Sequence, residues 1–126
     1  MFLRYNIFSI IFLVILLVGC LLPGSTLPKS DTQNLDKVLH VLLFLCFTFC
    51  SLVGCVKQSQ YPILHYFALK YVTIFSVLLT VLIELIQHFF IPRRGFELLD
   101  IGADMAGITL AIVLFFFVKG KEKIGY

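Results

Sequence analysis

Four apolar stretches separated by short polar segments take up nearly the whole chain. A helix needs roughly 20 mostly apolar residues to cross the ~30 Å hydrocarbon core of a bilayer, and each stretch is about that long. With 60% of residues hydrophobic, 13% charged and a mean hydropathy of +1.04, the chain cannot furnish the polar surface of a soluble domain. The spacing predicts helices over 5–22, 35–56, 63–91 and 98–118. The expected fold is an all-α integral membrane protein of four antiparallel transmembrane helices, in a single domain spanning 1–126. Pro23-Gly24 stops the first helix and Pro92 ends the third, because the residue before a proline is pushed out of helical geometry. Thr32 or Asn34 is the expected N-cap of the second. Nothing repeats at a fixed period.

Orientation follows from the Lys and Arg count. With the N-terminus inside, Arg4, Lys57, Lys70, Lys119, Lys121 and Lys123 face the cytoplasm, against Lys29, Lys37, Arg93 and Arg94 outside. Six against four favours an N-in, C-in arrangement in a bacterial cytoplasmic membrane, with membrane lipids as partners. The Lys-rich stretch at 119–123 reads as a membrane-surface anchor. Tyr5, Tyr61, Tyr66, Tyr71 and Tyr126 all fall near predicted helix ends, where a ring with a polar tip suits the interface. A net charge of only +3, without a basic run interleaved with aromatics, points away from nucleic acid.

Leu17-Val18-Gly19-Cys20 matches the short pattern that precedes a lipid-modified cysteine, and Arg4 with its apolar run would serve as a signal peptide. However, Leu21 and Leu22 prolong the apolar run, and the same tetrapeptide recurs at Leu52-Val53-Gly54-Cys55. A retained first helix is the reading favoured. Cys46 and Cys50 share a helix face and no Cys-x-x-Cys occurs, so the cysteines read as small packing residues.

Ionisable side chains within a membrane are expensive, so each needs a partner or a wet cavity. Glu84, Gln87 and His88 lie three and four residues apart on the third helix and share a face. Asp100, Asp104 and Gly107 follow one another on the fourth, and Asp36, Lys37 and His40 open the second. Three helices thus carry polar faces towards one membrane surface, and the Arg93-Arg94 turn joins two of them. Arg94 or Lys37 is expected to pair with Glu84, Asp100 or Asp104 around an outward-facing pocket, where Gly107 and Ala103 let helices approach closely. The plainer account is that buried polar pairs hold helices in register. Taken singly, Asp36 is a first-turn acid, Lys37 snorkels, His88 faces headgroups, and Glu97 and Asp31 are solvated loop charges. Glu84, and after it Asp104, resists that account.

In their order and spacing, these elements resemble the VanZ-like family of bacterial membrane proteins. The matching residues are Asp36-Lys37-Val38-Leu39-His40, then Glu84-Leu85-Ile86-Gln87 followed by Pro92 and Arg94, then Asp100, Asp104 and Gly107. The resemblance covers 22–114. Two positions depart from it: Asp104 stands where the family more often has Asn, and Glu97 where a small polar residue is expected. The family takes its name from a protein associated with teicoplanin resistance, which implies a role at the cell envelope and an effect on lipoglycopeptide susceptibility.

The site expected from these residues comprises Asp36, Lys37, His40, Glu84, Gln87, Arg94, Asp100 and Asp104. Three functions compete for it. A non-catalytic protein would bind a lipid headgroup, a lipid-linked cell-wall precursor or a glycopeptide, with Arg94 on a phosphate or carboxylate. A membrane enzyme acting on a lipid-linked substrate would use Glu84 or His40 as general base, although no nucleophile sits beside a base in a recognised pattern, so no catalytic residue is assigned. A small proton- or ion-coupled transporter would use Glu84 and Asp104. No His-x-x-x-His pair supports a metal, and no cofactor is expected. The oligomeric state is left open.

Overall fold

The structure is a computed structural model that describes residues 2–21, 32–57, 62–63, 67–90 and 98–119, with side chains described at 3–19, 37–57, 62–63, 67–90 and 98–118. The described elements are all helical: α1 (Phe2–Leu21), α2 (Thr32–Val56), α3 (Ala68–Phe90) and α4 (Leu98–Lys119). Three of them hold spans long and apolar enough to cross a membrane, Lys37–Val56, Ala68–Phe90 and Leu98–Val118, and α1 adds a shorter apolar helix, Leu3–Gly19. This is the architecture of a multi-pass membrane protein.

The expected boundaries shift at three places. α1 begins at Phe2 and α2 at Thr32, each three residues earlier than expected, so Asn34 lies inside α2 and cannot cap it. Polar residues continue a helix freely when their side chains reach water, and hydropathy underestimates such ends. α3 starts at Ala68 rather than residue 63, yet the backbone already turns helically before it. Pro62 and Ile63 are helical, Phe67 N donates to Ile63 O at 3.0 Å, and Tyr71 N donates to Phe67 O at 3.0 Å. α3 ends at Phe90, two residues before Pro92.

Successive helices run antiparallel. On the α1–α2 pair, Asn6 meets Gly54 near the end of α2, while Gly19 faces Leu43 nearer its start. On the α2–α3 pair, Phe47 stacks at a tilt on Phe75, with ring centroids 6.1 Å apart. The bundle therefore has a hairpin end, where α1 and α3 finish and α2 and α4 begin, and an opposite terminal end. α2 is the hub: it packs on every other helix, most extensively on the parallel helix α4.

Two glycines let backbones touch. A β-carbon at Gly107 would run into the Val41 carbonyl oxygen and lie 3.2 Å from Leu45 N, so α4 rests directly on the backbone of α2. At the terminal end a β-carbon at Gly54 would collide with Asn6 Oδ1 and lie 2.7 Å from Tyr5 O. Ala103, the other residue expected to permit close approach, is half-buried.

The interior is layered along the bundle axis. Leu52, Cys55, Val56, Ala68, Val72 and Phe115 form an apolar cluster towards the terminal end, and Leu16, Phe44, Phe47, Leu79, Ile83 and Ile108 form the central one. Large apolar side chains such as Phe8, Leu78 and Phe117 are mostly exposed around the outside, as lipid-facing residues must be. Tyr5 and Tyr71 are exposed near the starts of α1 and α3; Tyr61, Tyr66 and Tyr126 lie outside the described residues. Cys46, Cys50 and Cys55 are free thiols, half-buried to buried, as packing residues are; the side chain of Cys20 lies outside the described residues.

Candidate functional site

Three residues of the central apolar cluster, Phe44, Ile83 and Ile108, mark one level on α2, α3 and α4. One helical turn from each towards the hairpin end stand His40, Gln87 and Asp104. All three are buried, at 1%, 2% and 0% exposure. Glu84 adjoins Ile83 and is fully buried, and Asp100 lies a further turn out on α4 and is buried too. The apolar interior thus gives way to a polar layer built from three helices.

His40 and Asp104 make its centre. Their Nδ1 and Oδ1 atoms are 2.7 Å apart, a buried hydrogen bond between the two side chains. The close approach at Gly107 explains the short distance. Gly107 is one turn along α4 from Asp104 and rests on Val41, the neighbour of His40, so both side chains bridge backbones in near contact. The hydrogen bond fixes the imidazole ring plane and turns Nε2 away from Asp104.

Of the two cations expected to pair with the buried carboxylates, Lys37 is half-buried at the same end and forms no ion pair with another described residue, and Arg94 lies outside the described residues. Asp104 bonds to His40. Lys37 opens the membrane span and has a long flexible stem, so its ammonium reaches the interface more cheaply than a buried acid. His88 shares a nominal helix face with Glu84, yet it is exposed, in keeping with a residue that faces headgroups, and packs edge-on against Phe89, with ring centroids 4.9 Å apart. The buried stripe of α3 runs Ser76, Leu79, Thr80, Ile83, Glu84, Gln87. That contact line follows the shorter repeat of supercoiled helices and drifts away from His88.

Of the other expected site residues, Asp36 is helical in α2 but its side chain lies outside the described residues, and Arg94 lies wholly outside them, as do Arg93, Glu97 and Asp31. Asp100 occupies the first turn of α4, where an acid complements the helix dipole.

Sequence reading passed over a second polar contact. Below the central layer, Thr48 Oγ1 and Ser76 Oγ are 3.2 Å apart across α2 and α3, and Thr80 Oγ1 donates to Ser76 O at 3.1 Å. Hydroxyls of this kind bond across helices within a membrane. The signal for Thr48 was its isolated hydroxyl in an apolar run. Among the described residues, no group of three or more His, Cys, Asp or Glu side chains is placed to hold a metal ion.

The polar layer can therefore present carboxylates, an amide and an oriented imidazole to a ligand reaching the hairpin end, within a setting of low dielectric. Comparison with known proteins finds no matching family model, no similar curated protein and no similar solved structure.

Proposed function

We propose that this chain is a multi-pass envelope protein of the bacterial cytoplasmic membrane, related to the VanZ-like family, whose polar layer binds the head of an amphiphilic ligand. The ligand class is a lipid headgroup, a lipid-linked cell-wall precursor or a lipoglycopeptide. One observation carries the reading: three helices bury His40, Glu84, Gln87, Asp100 and Asp104 at a single end of an otherwise apolar bundle. Buried carboxylates cost stability that aliphatic side chains of equal size would not, so their concentration at one end is better explained by a ligand than by scaffolding. With the N-terminus inside, that end faces outward, where such ligands are met. Arg94, three residues past the end of the third predicted span, would contact a phosphate or carboxylate on the ligand.

The test is antibiotic susceptibility of a bacterial host expressing the wild type, Glu84→Gln or Arg94→Ala, with membrane abundance measured in parallel. The expected outcome is a shifted lipoglycopeptide susceptibility with the wild type and none with either variant at equal abundance. If the variants behave as wild type at equal abundance, the polar layer is structural.

A second reading draws on the His40–Asp104 hydrogen bond. An imidazole held by a carboxylate is the arrangement of a positioned general base, and it would serve an enzyme acting on a lipid-linked substrate. Release of labelled product from such a substrate, present with wild type and lost in His40→Gln while binding persists, would favour chemistry over binding alone.

A further inference from the structure

A cleft opens at the opposite, terminal end, between α1, α2 and α3, and the polar layer plays no part in it. Asn6 and Ser9 line it from α1, Phe47 and Ser51 from α2, Tyr71 and Phe75 from α3, and its volume is about 470 Å3. It exists because α1 and α3 both pack on α2 but meet each other least of all the contacting pairs. Ile74, Phe75 and Leu78 are exposed along its rim, so the cleft opens sideways into the bilayer rather than along the bundle axis.

Its setting selects the occupant. The cleft spans residues 6–13 of α1 and 71–78 of α3, about 10 Å of length at 1.5 Å per residue, and the surface it presents is almost wholly apolar. An apolar groove that opens sideways onto lipid is filled by what it meets there, a hydrocarbon chain.

One further observation gives that chain a head. Each of the three helices carries an exposed cation at the outer level of the cleft: Arg4 stands two residues before Asn6, Lys57 two after Cys55, and Lys70 one before Tyr71. No acid stands among the described residues of that end.

We propose that the cleft seats one tail of an anionic phospholipid from the leaflet holding Arg4, Lys57 and Lys70, with its phosphate drawn to those cations. The site is independent of the function proposed for the polar layer, and either can fail alone.

The chain has no tryptophan, so a single reporter can be placed in the cleft by Phe75→Trp, and a second variant, Leu114→Trp, reports lipid on the outer face of α4. Each is reconstituted in phosphatidylcholine vesicles containing a small, fixed fraction of bromine-tailed phosphatidylglycerol or bromine-tailed phosphatidylcholine. General attraction of anionic lipid to this basic end raises quenching at both reporters, whereas the cleft raises it only at the first. The expected preference for the anionic lipid at Phe75→Trp exceeds that at Leu114→Trp by about fivefold, the factor for one basic group engaged at an anionic surface. Combining Phe75→Trp with Arg4→Gln, Lys57→Gln and Lys70→Gln brings the two preferences together. Equal preference at the two reporters would overturn the proposal. So would a Phe75→Trp reporter shielded from both lipids, which would mean that another protein surface covers the cleft.

Discussion

At the scale of single residues, His40 and Asp104 hold the most consequential contact in the bundle, a 2.7 Å hydrogen bond between two side chains withdrawn from solvent. Sequence singled out both without joining them, offering Lys37 or Arg94 as partner to Glu84, Asp100 or Asp104, because helical spacing does not show which faces of α2 and α4 meet. His40 lies on the face of α2 that meets α4, whereas Lys37 sits a turn nearer the interface. A double-mutant cycle of His40→Ala and Asp104→Ala, read from unfolding in mixed detergent micelles, is expected to give a coupling of about 1 kcal/mol. Asp104→Ala alone should cost less than His40→Ala alone, since the latter leaves a buried carboxylate without its imidazole. Strictly additive single effects would show that the contact contributes nothing to stability.

At the scale of helices, the parallel contact of α2 and α4 depends on one missing side chain. Gly107 presses on the Val41–Leu45 backbone, and no neighbouring side chain can give way, because the obstruction is itself helix backbone. Gly107→Ala is expected to destabilise the bundle by about 1–3 kcal/mol, as overpacking does, and to pull His40 away from Asp104. Gly102, five residues earlier on the same helix, has nothing within 4 Å of where a β-carbon would be. Gly102→Ala should therefore leave the unfolding midpoint unchanged or slightly raised, since alanine is the better helix former. The pair of variants separates steric contact from helix propensity; equal loss in both would remove the role given to Gly107. Sequence named Gly107 as a close-approach residue but could not say which helix it approaches.

For the whole molecule, the polar and basic ends impose a direction. Of the described Lys and Arg residues, Arg4, Lys57 and Lys70 stand at the terminal end and Lys37 at the hairpin end, where the buried acids gather. Under the positive-inside rule the expected topology has both ends of the chain in the cytoplasm. Reporter fusions at residue 1 and residue 126 are expected to show cytoplasmic activity together. Periplasmic activity at both ends would invert the bundle, directing the polar layer inward and ending its assignment to extracellular ligands. The same axis separates the two candidate sites: a polar layer between α2, α3 and α4, and a lipid-facing cleft between α1, α2 and α3.

Sequence by itself determined the number of helices, their approximate spans, and the end of the bundle on which Glu84, Asp100 and Asp104 gather, because hydropathy and proline placement act locally along the chain. Tertiary structure alone decided the partner of Asp104, the outward turn of His88, the Thr48–Ser76 contact, and the cleft that Ser9 lines. Each of these depends on how a helix is rotated about its own axis. In a soluble bundle an apolar stripe records that rotation, but here lipid is as apolar as the core, so α1 and α4 are hydrophobic all round and carry almost no such stripe. Rotation is settled instead by close packing at glycines and by a few buried hydrogen bonds, which appear only when the helices are brought together.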